Sequence, residues 1–396
     1  MMWNQKMFGA VLFLAICSIL YFYNSTRNLP VKPIKKKYAY RNINFNKDAG
    51  DVFSFVHVQK TGGTTIEKHL VFNIENSNCE CRDSKKPSCM CYRKDVREIW
   101  LVCRYIQPKW PCGLHPDFAT IRECTPKLFN TKYENRKRRY FYGTILRNPL
   151  HRFLSEFRHI QRGASWEAAS SLCRGRLLIE QIPACFPGKF WHNVTIEKFI
   201  SCPYNLAINR QTWMLSNISA VDCDFKKILQ KQNLKQKLLN IAKRNIRNIA
   251  YFGLLEYPRE SQFVFEKTFS MKFKEPFQLW DTGFANEYIK TFKQSDEMLE
   301  RLQALISLDV KLYKYAKQIF FERYNYFARK YGIPKYHNLS VTGKFSMGDV
   351  RLERIKQNLP RSLRKEEVLR QKREKDLLKG KKKRGKLKAE DIERTV

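Results

Sequence analysis

The sequence is short of acid. Its 37 Asp and Glu face 75 Lys and Arg, a formal net charge of +38 over 396 residues. The excess is not confined to one end. From Lys344 onward there are 19 basic and nine acidic residues, which leaves +28 on the rest of the chain. A surface so poor in carboxylates argues against cationic partners. It fits a polyanion: nucleic acid, an anionic membrane surface or a sulfated polysaccharide. Histidine is also scarce. His57, His69, His115, His151, His159, His192 and His337 are all seven, so few groups can move a proton near neutral pH. There is no internal repeat. There is no GxxxxGK[ST] segment, which excludes the ATPase P-loop. What is plentiful excludes wholesale disorder: aromatics are 14% and apolar residues 43%, enough for one large core or two smaller ones.

Met7 to Tyr23 is an apolar run of 17 residues, short for a membrane span and long for a signal-peptide core. It reads as a retained signal anchor rather than a cleaved signal. Lys6 precedes it and Arg27, Lys32 and Lys35–Lys37 follow. The positive-inside rule alone would therefore orient it the other way. The downstream residues decide. Eleven of twelve cysteines lie beyond the run, with sequons at Asn193, Asn217 and Asn338. Both features belong to an oxidising lumen. That compartment argues against nucleic acid as the anion. Nothing in the sequence sets an oligomeric state.

The layout expected is a cytoplasmic tail (1–6), the anchor (7–23), a basic stem (24–50), a lumenal domain (51–331) and a basic tail (332–396). Val52–Val58 and Tyr140–Leu146 read as buried strands, and Ala250–Leu255 as a third. Thr64–Phe72 reads as a helix, and so does the segment opening at Pro149. Residues 233–248 read as a basic amphipathic helix, and 297–330 as one long helix with a single core face. Residues 79–91 form a cysteine-rich loop or hairpin. Strands alternating with helices predict an α/β fold with a parallel sheet.

The stretch FVHVQKTGGTT, residues 55–65, is a strand running into a Gly-Gly turn. Glycines there let backbone N–H groups converge on a phosphate at a helix N-terminus. Thr61, Thr64 and Thr65 add hydroxyls, and Lys60 stands ahead of the glycines instead of after them. A plain βα turn with a surface lysine is the bland reading.

The wider text resembles a family. QKTGGTT is similar to the 5′-phosphosulfate loop of sulfotransferases, and LRNPLHRFLSEFRHIQRGASW to their 3′-phosphate strand and helix. With CxC…CxCY, WPCGLHPDF and CPYNLAINRQ, residues 51–330 resemble a heparan-sulfate 6-O-sulfotransferase. The resemblance implies a P-loop-like sulfotransferase fold and 3′-phosphoadenosine 5′-phosphosulfate (PAPS) as co-substrate, without a metal. His57, Val58, Gln59, Lys60, Thr61, Gly62, Gly63, Thr64 and Thr65 would hold its 5′ end, and Arg147 and Ser155 its 3′-phosphate. Lys60 would stabilise the bridging oxygen as it leaves, and His115 would be the catalytic base. Lys85, Lys86, Arg104, Trp110, His159 and Trp166 would meet the heparan sulfate. Phe284 stands where the family carries a basic residue, so either Lys290 or another side chain compensates or donor affinity is lower. Trp280 either stacks on adenine or belongs to the core. A Golgi membrane protein with a lumenal catalytic domain follows. Sulfation of another heparan sulfate hydroxyl, or silent heparan binding, are the competing readings.

Cys79, Cys81, Cys89 and Cys91 suit either disulfides or a four-cysteine zinc site, and a lumen favours disulfides. Eleven cysteines leave one outside any pair: either Cys103, additional to the pattern the resemblance implies, or the partner of a cysteine expected near Asn193 and absent.

Overall fold

The computed structural model describes residues 43–82, 88–104, 111–113, 115–133, 136–166, 172–173, 176–188, 190–277 and 296–333. The expected anchor, Lys85, Lys86, Trp110, Trp280, Phe284, Lys290 and His337 lie outside them. The chain divides into two compact units, Met1–Tyr336 and His337–Val396.

In chain order the strands are β1 (Asp51–Val56), β2 (Cys79–Arg82), β3 (Ser88–Cys91), β4 (Leu101–Val102), β5 (Arg139–Leu146), β6 (Leu172–Cys173), β7 (Arg176–Leu177) and β8 (Tyr251–Leu254). The helices are α1 (Gly63–Lys68), α2 (Phe118–Lys132), α3 (Pro149–Gln161), α4 (Ile196–Ser201), α5 (Arg210–Leu215), α6 (Phe225–Gln230), α7 (Gln232–Asn248), α8 (Pro258–Phe269), α9 (Asp296–Leu305) and α10 (Ser307–Lys330). The central sheet runs β4–β1–β5–β8, and every pairing in it is parallel. All six residues of β1 are buried. A parallel strand covered on both faces reads as a near-continuous apolar run, and VFSFV does, broken only by Ser54.

The chain leaves β1 toward β4 on one side and returns to β5 on the other. Strand order reverses there, and in open α/β sheets the crevice at such a switch point takes the ligand. The loop 57–65 follows β1 and Arg147 follows β5, so both expected donor segments open onto this crevice.

Helix starts follow local chemistry. Asn148 caps α3 by accepting from Leu150 N and His151 N, with Pro149 in the first turn. Asp117 caps α2 by accepting from Thr120 N. Helix α7 buries Leu238, Leu239, Ala242 and Ile246 along one side, as its amphipathic pattern predicts.

Three readings change in detail. The helix after the glycines starts at Gly63 and relaxes into a π turn over His69–Asn73. The long C-terminal helix is two helices, because Asn209 is wedged at their junction. Its Nδ2 donates to Leu305 O at 3.0 Å, and its Oδ1 accepts from Leu308 N and Asp309 N at 3.0 and 3.1 Å. One amide thus ends α9 and caps the start of α10. The packed body also begins before residue 51. Phe45, assigned to the stem, makes edge contacts with Trp100, Phe141 and Phe269. Burial of such a ring is worth roughly 1.5–3 kcal/mol.

Strands β2 and β3 pair antiparallel and are cross-linked by Cys79–Cys91 and Cys81–Cys89. The zinc alternative therefore falls: all four thiols are in disulfides. Cys112–Cys124, Cys173–Cys223 and Cys185–Cys202 complete five pairs. Cys103 stands outside them and is buried.

Candidate active site

After β1 the loop passes through two left-handed residues, Lys60 at φ 65° and Gly62 at φ 86°. The conformation is free for glycine and costs lysine roughly 1–3 kcal/mol, strain of the kind that gathers at functional sites. Gly62 precedes α1, whose start carries no side-chain cap among the described residues. Its first N–H groups can therefore serve an anion. Gly63 is required for a different reason. A Cβ there would lie 3.0 Å from ring atoms of His57, which packs across it.

Thr61 corrects one expectation. Its hydroxyl donates to Val58 O at 2.9 Å, so it braces the loop and has no second proton to offer a phosphate. Thr64 and Thr65 are half-buried and remain as hydroxyl donors. Val58 and Gln59 are buried beneath the turn, and neither amide atom of Gln59 has a partner among the described residues. Burial lowers the Lys60 ammonium below its usual range. Glu156 opposes that shift, and the charges of Arg162, Arg147 and Arg152 deepen it.

Arg147 joins the two halves of the crevice. Its Nη1 donates to Lys60 O at 3.2 Å. Gln211 grips its backbone from both sides: Arg147 N donates to Gln211 Oε1, and Gln211 Nε2 donates to Arg147 O, each at 2.9 Å. Asp309 in turn anchors α5, accepting from Gln211 N, Thr212 N and Thr212 Oγ1. Ser155, two turns into α3, is half-buried.

The base candidate sits in a small cluster. Glu67 is fully buried and accepts from His57 Nδ1 at 2.6 Å and from Arg104 N at 2.8 Å. The His57 and His115 rings meet edge to face, 4.6 Å between centroids. His115 also hydrogen-bonds the backbone of His57, and its Nδ1 has no partner among the described residues. Burial, then the neighbouring His57, Arg104 and Arg210, push its pKa down to about 2. The ring is thus neutral, the form a base requires.

The acceptor residues divide. Arg104 lies against the donor loop, its Nη1 donating to Thr64 Oγ1 at 3.0 Å. His159 is exposed; the surrounding protein first, then Lys60 and Arg162, lower its pKa. Trp166, expected to meet the acceptor, is only 6% exposed. It packs among Phe186, Trp191 and Phe199, and its N–H donates to Glu156 at 3.0 Å. Glu156 also holds Arg152 and, at 2.8 Å, Arg210. Burial alone would raise that carboxyl, but the two guanidiniums bring it down to about 2.

Sequence reasoning missed Glu67, Gln211 and Asp309. The available signals were an acid on the core face of a helix, the segment CPYNLAINRQ, and an Asp in an apolar stripe. Orphaned buried atoms on Gln59, Arg147, His115 and His151 all belong to the segments framing the crevice, as expected where a polar ligand belongs. Among the described residues no cluster of His, Cys, Asp and Glu could hold a metal ion.

The family model of the sulfotransferases matches residues 43–316. The chain is 41% identical over 295 residues to heparan-sulfate 6-O-sulfotransferase 2 of Gallus gallus, covering 73% of this chain and 72% of that one. It is 39% identical over 303 residues to heparan-sulfate 6-O-sulfotransferase 1 of Homo sapiens, covering 74% and 72%. Against heparan-sulfate 6-O-sulfotransferase 2 of Homo sapiens the identity is 39% over 312 residues and 78% of this chain. There the chain spans about half of its relative, 51%. With the loop after β1, the arginine after β5 and these similarities in agreement, the chain belongs to the sulfotransferase family, among the heparan-sulfate 6-O-sulfotransferases.

Proposed function

We propose that this protein transfers the sulfuryl group of PAPS to the 6-oxygen of glucosamine residues in heparan sulfate. The observation that carries the reading is the junction of Lys60 and Arg147 at 3.2 Å. It sets the loop for the 5′ end of a nucleotide beside the arginine for its 3′ end. The names of the relatives supply the acceptor and the position of transfer.

The donor, when bound, supplies a sulfuryl group whose departure leaves negative charge on the oxygen bridging phosphorus and sulfur. Lys60 and the N–H groups of the first turn of α1 face that charge, and Thr64 and Thr65 add hydroxyl donors. His115 accepts the proton of the acceptor hydroxyl as the new sulfur–oxygen bond forms. Its burial makes it a weak base in the free protein. A polyanionic acceptor brings negative charge to the pocket and raises its basicity. Arg104 and His159 stand at the open side of the crevice to meet that polymer, and the basic surface of the chain attracts it.

The compartment we propose is the Golgi, with a single-pass type II anchor at 7–23 and the catalytic domain in the lumen. Five disulfides support an oxidising compartment. Among the described residues no helix is long and apolar enough to cross a membrane.

The test is to incubate the purified protein with sulfur-labelled PAPS and N-sulfated heparosan, then map the label by disaccharide analysis. Label on the glucosamine 6-oxygen is the expected result. Label on the uronic acid 2-oxygen would reassign the acceptor, and no transfer under saturating donor would remove the enzymatic reading.

A further inference from the structure

Helix α3 has three kinds of face. Phe153 and Phe157 pack on Phe199, and Arg152 and Glu156 enter the buried ion network. The remaining stripe is His151, Ser155 and His159, spaced four residues apart and so aligned on one side of a helix. Arg147 stands four residues before His151, at the strand end that feeds the helix. Burial along the stripe is graded: Arg147 and His151 are buried, Ser155 is half-buried and His159 is exposed. Both ends of the stripe are tied to the donor loop, Arg147 through its bond to Lys60 O and His159 through the charge of Lys60. The stripe therefore lines the crevice from its floor to its mouth.

His151 sits between the two residues expected to hold the 3′-phosphate. Its side chain is 94% buried (6% exposed), and Nδ1 has no hydrogen-bond partner among the described residues. Nε of Arg147 is likewise buried without a partner. Two buried nitrogens on neighbouring members of the stripe are thus left without a partner among the described residues, where buried polar atoms are ordinarily paired. Arg147 Nε can only donate, so it cannot pair with His151 Nδ1 in the tautomer that carries the proton there.

We infer that His151 is a third ligand of the donor's 3′-phosphate, donating alongside Arg147 and Ser155, and that it helps the site select 3′-phosphorylated adenine nucleotides. The electrostatics agree. Without a ligand, burial first and the Arg147 charge second bring the His151 pKa down to about 4. A phosphate between the two groups reverses the sign of that neighbour and favours the protonated, doubly donating ring. The inference rests on the PAPS reading above.

The experiment measures binding of 3′-phosphoadenosine 5′-phosphate and of 5′-AMP to the full chain by calorimetry, for wild type, His151→Ala and His151→Phe. The first nucleotide carries the 3′-phosphate and the second lacks it. Phenylalanine keeps ring volume without a donor, so it separates lost packing from lost contact. Both variants are expected to bind the 3′-phosphorylated nucleotide roughly 10- to 100-fold more weakly, the scale of one hydrogen bond to a charged group, and 5′-AMP as wild type does. Unchanged affinity for the 3′-phosphorylated nucleotide in a folded His151→Phe protein overturns the inference. So does a loss shared equally by both nucleotides. If wild type itself does not distinguish the two nucleotides, the donor reading fails instead, and the inference with it.

Discussion

Glu67 and His57 are joined by a buried hydrogen bond of 2.6 Å, and it fixes the face of the imidazole that lies over Gly63 and against His115. The same carboxylate holds Arg104 N, so one acid organises the donor loop, the base and a residue beside the acceptor path.

Glu67→Gln keeps the shape but places an amide NH₂ against one of two donors. We expect a stability loss of about 1–3 kcal/mol, the cost of a buried mismatch, with turnover lowered in the folded fraction. Urea melts beside single-turnover rates check this. A variant as stable and active as wild type would show that Glu67 is filler.

Gly63→Ala forces a methyl to within 3.0 Å of the His57 ring. The ring must give way by a few tenths of an ångström, and overpacking of this kind costs about 1–3 kcal/mol. Nucleotide affinity should fall together with the melting temperature. Loss of melting temperature alone, with nucleotide affinity intact, would separate the ring from the donor site.

Lys60→Ala is expected to lose roughly 10²- to 10³-fold in turnover while melting as wild type. A second signature is pH. Because burial lowers the Lys60 pKa, the ammonium loses its proton below the usual lysine range. The alkaline decline of turnover should therefore begin early. Lys60→Arg, which stays charged, should move that decline upward.

His115→Ala should lose roughly 10²- to 10⁴-fold in turnover and still bind 3′-phosphoadenosine 5′-phosphate normally. If the imidazole merely braces the turn at Cys112 and Gly113, residual activity per folded molecule will stay near normal, and His159 becomes the next base to test.

Two imidazoles, half-buried His115 and buried His151, contribute to the acid behaviour of the ligand-free protein. His115 and His151 are held down to about 2 and about 4, chiefly by burial. Their ordinary value lies near 6.5. The unfolded chain therefore binds protons first as pH falls. Stability they contribute is complete above that ordinary value and drains away as pH drops toward 4, His151 reaching its limit before His115. Denaturant midpoints measured from pH 7 to 4 should fall, less steeply for His151→Phe. A flat wild-type profile would contradict the burial of these rings.

Much of the centre was legible because it is local. A strand, a glycine pair and a helix occupy eighteen consecutive positions, Asp51 to Lys68, and Arg147 to Ser155 spans one strand end and two helical turns. Such segments carry their geometry in their own spacing. The illegible parts are long-range. Gln211 is recognisable as a clamp only when Arg147, 64 residues earlier, lies beside it. The break between α9 and α10 is made by Asn209, about a hundred residues upstream, so no periodicity near Leu305 could reveal it. The Thr61 hydroxyl misled for the opposite reason. Its type suits a phosphate, but the carbonyl of Val58 had already claimed its proton.

The Asp309 carboxylate gives α10 a share in the nucleotide site. No atom of α10 needs to reach the nucleotide, yet the backbone of Arg147 is held by Gln211, and α5 is held by Asp309. A chain truncated just before Asp309 would retain every residue that grips the donor and lose the means of keeping one of them in position. Mapping this enzyme by deletion would thus overstate the territory of its active site, and only point changes would draw its true border.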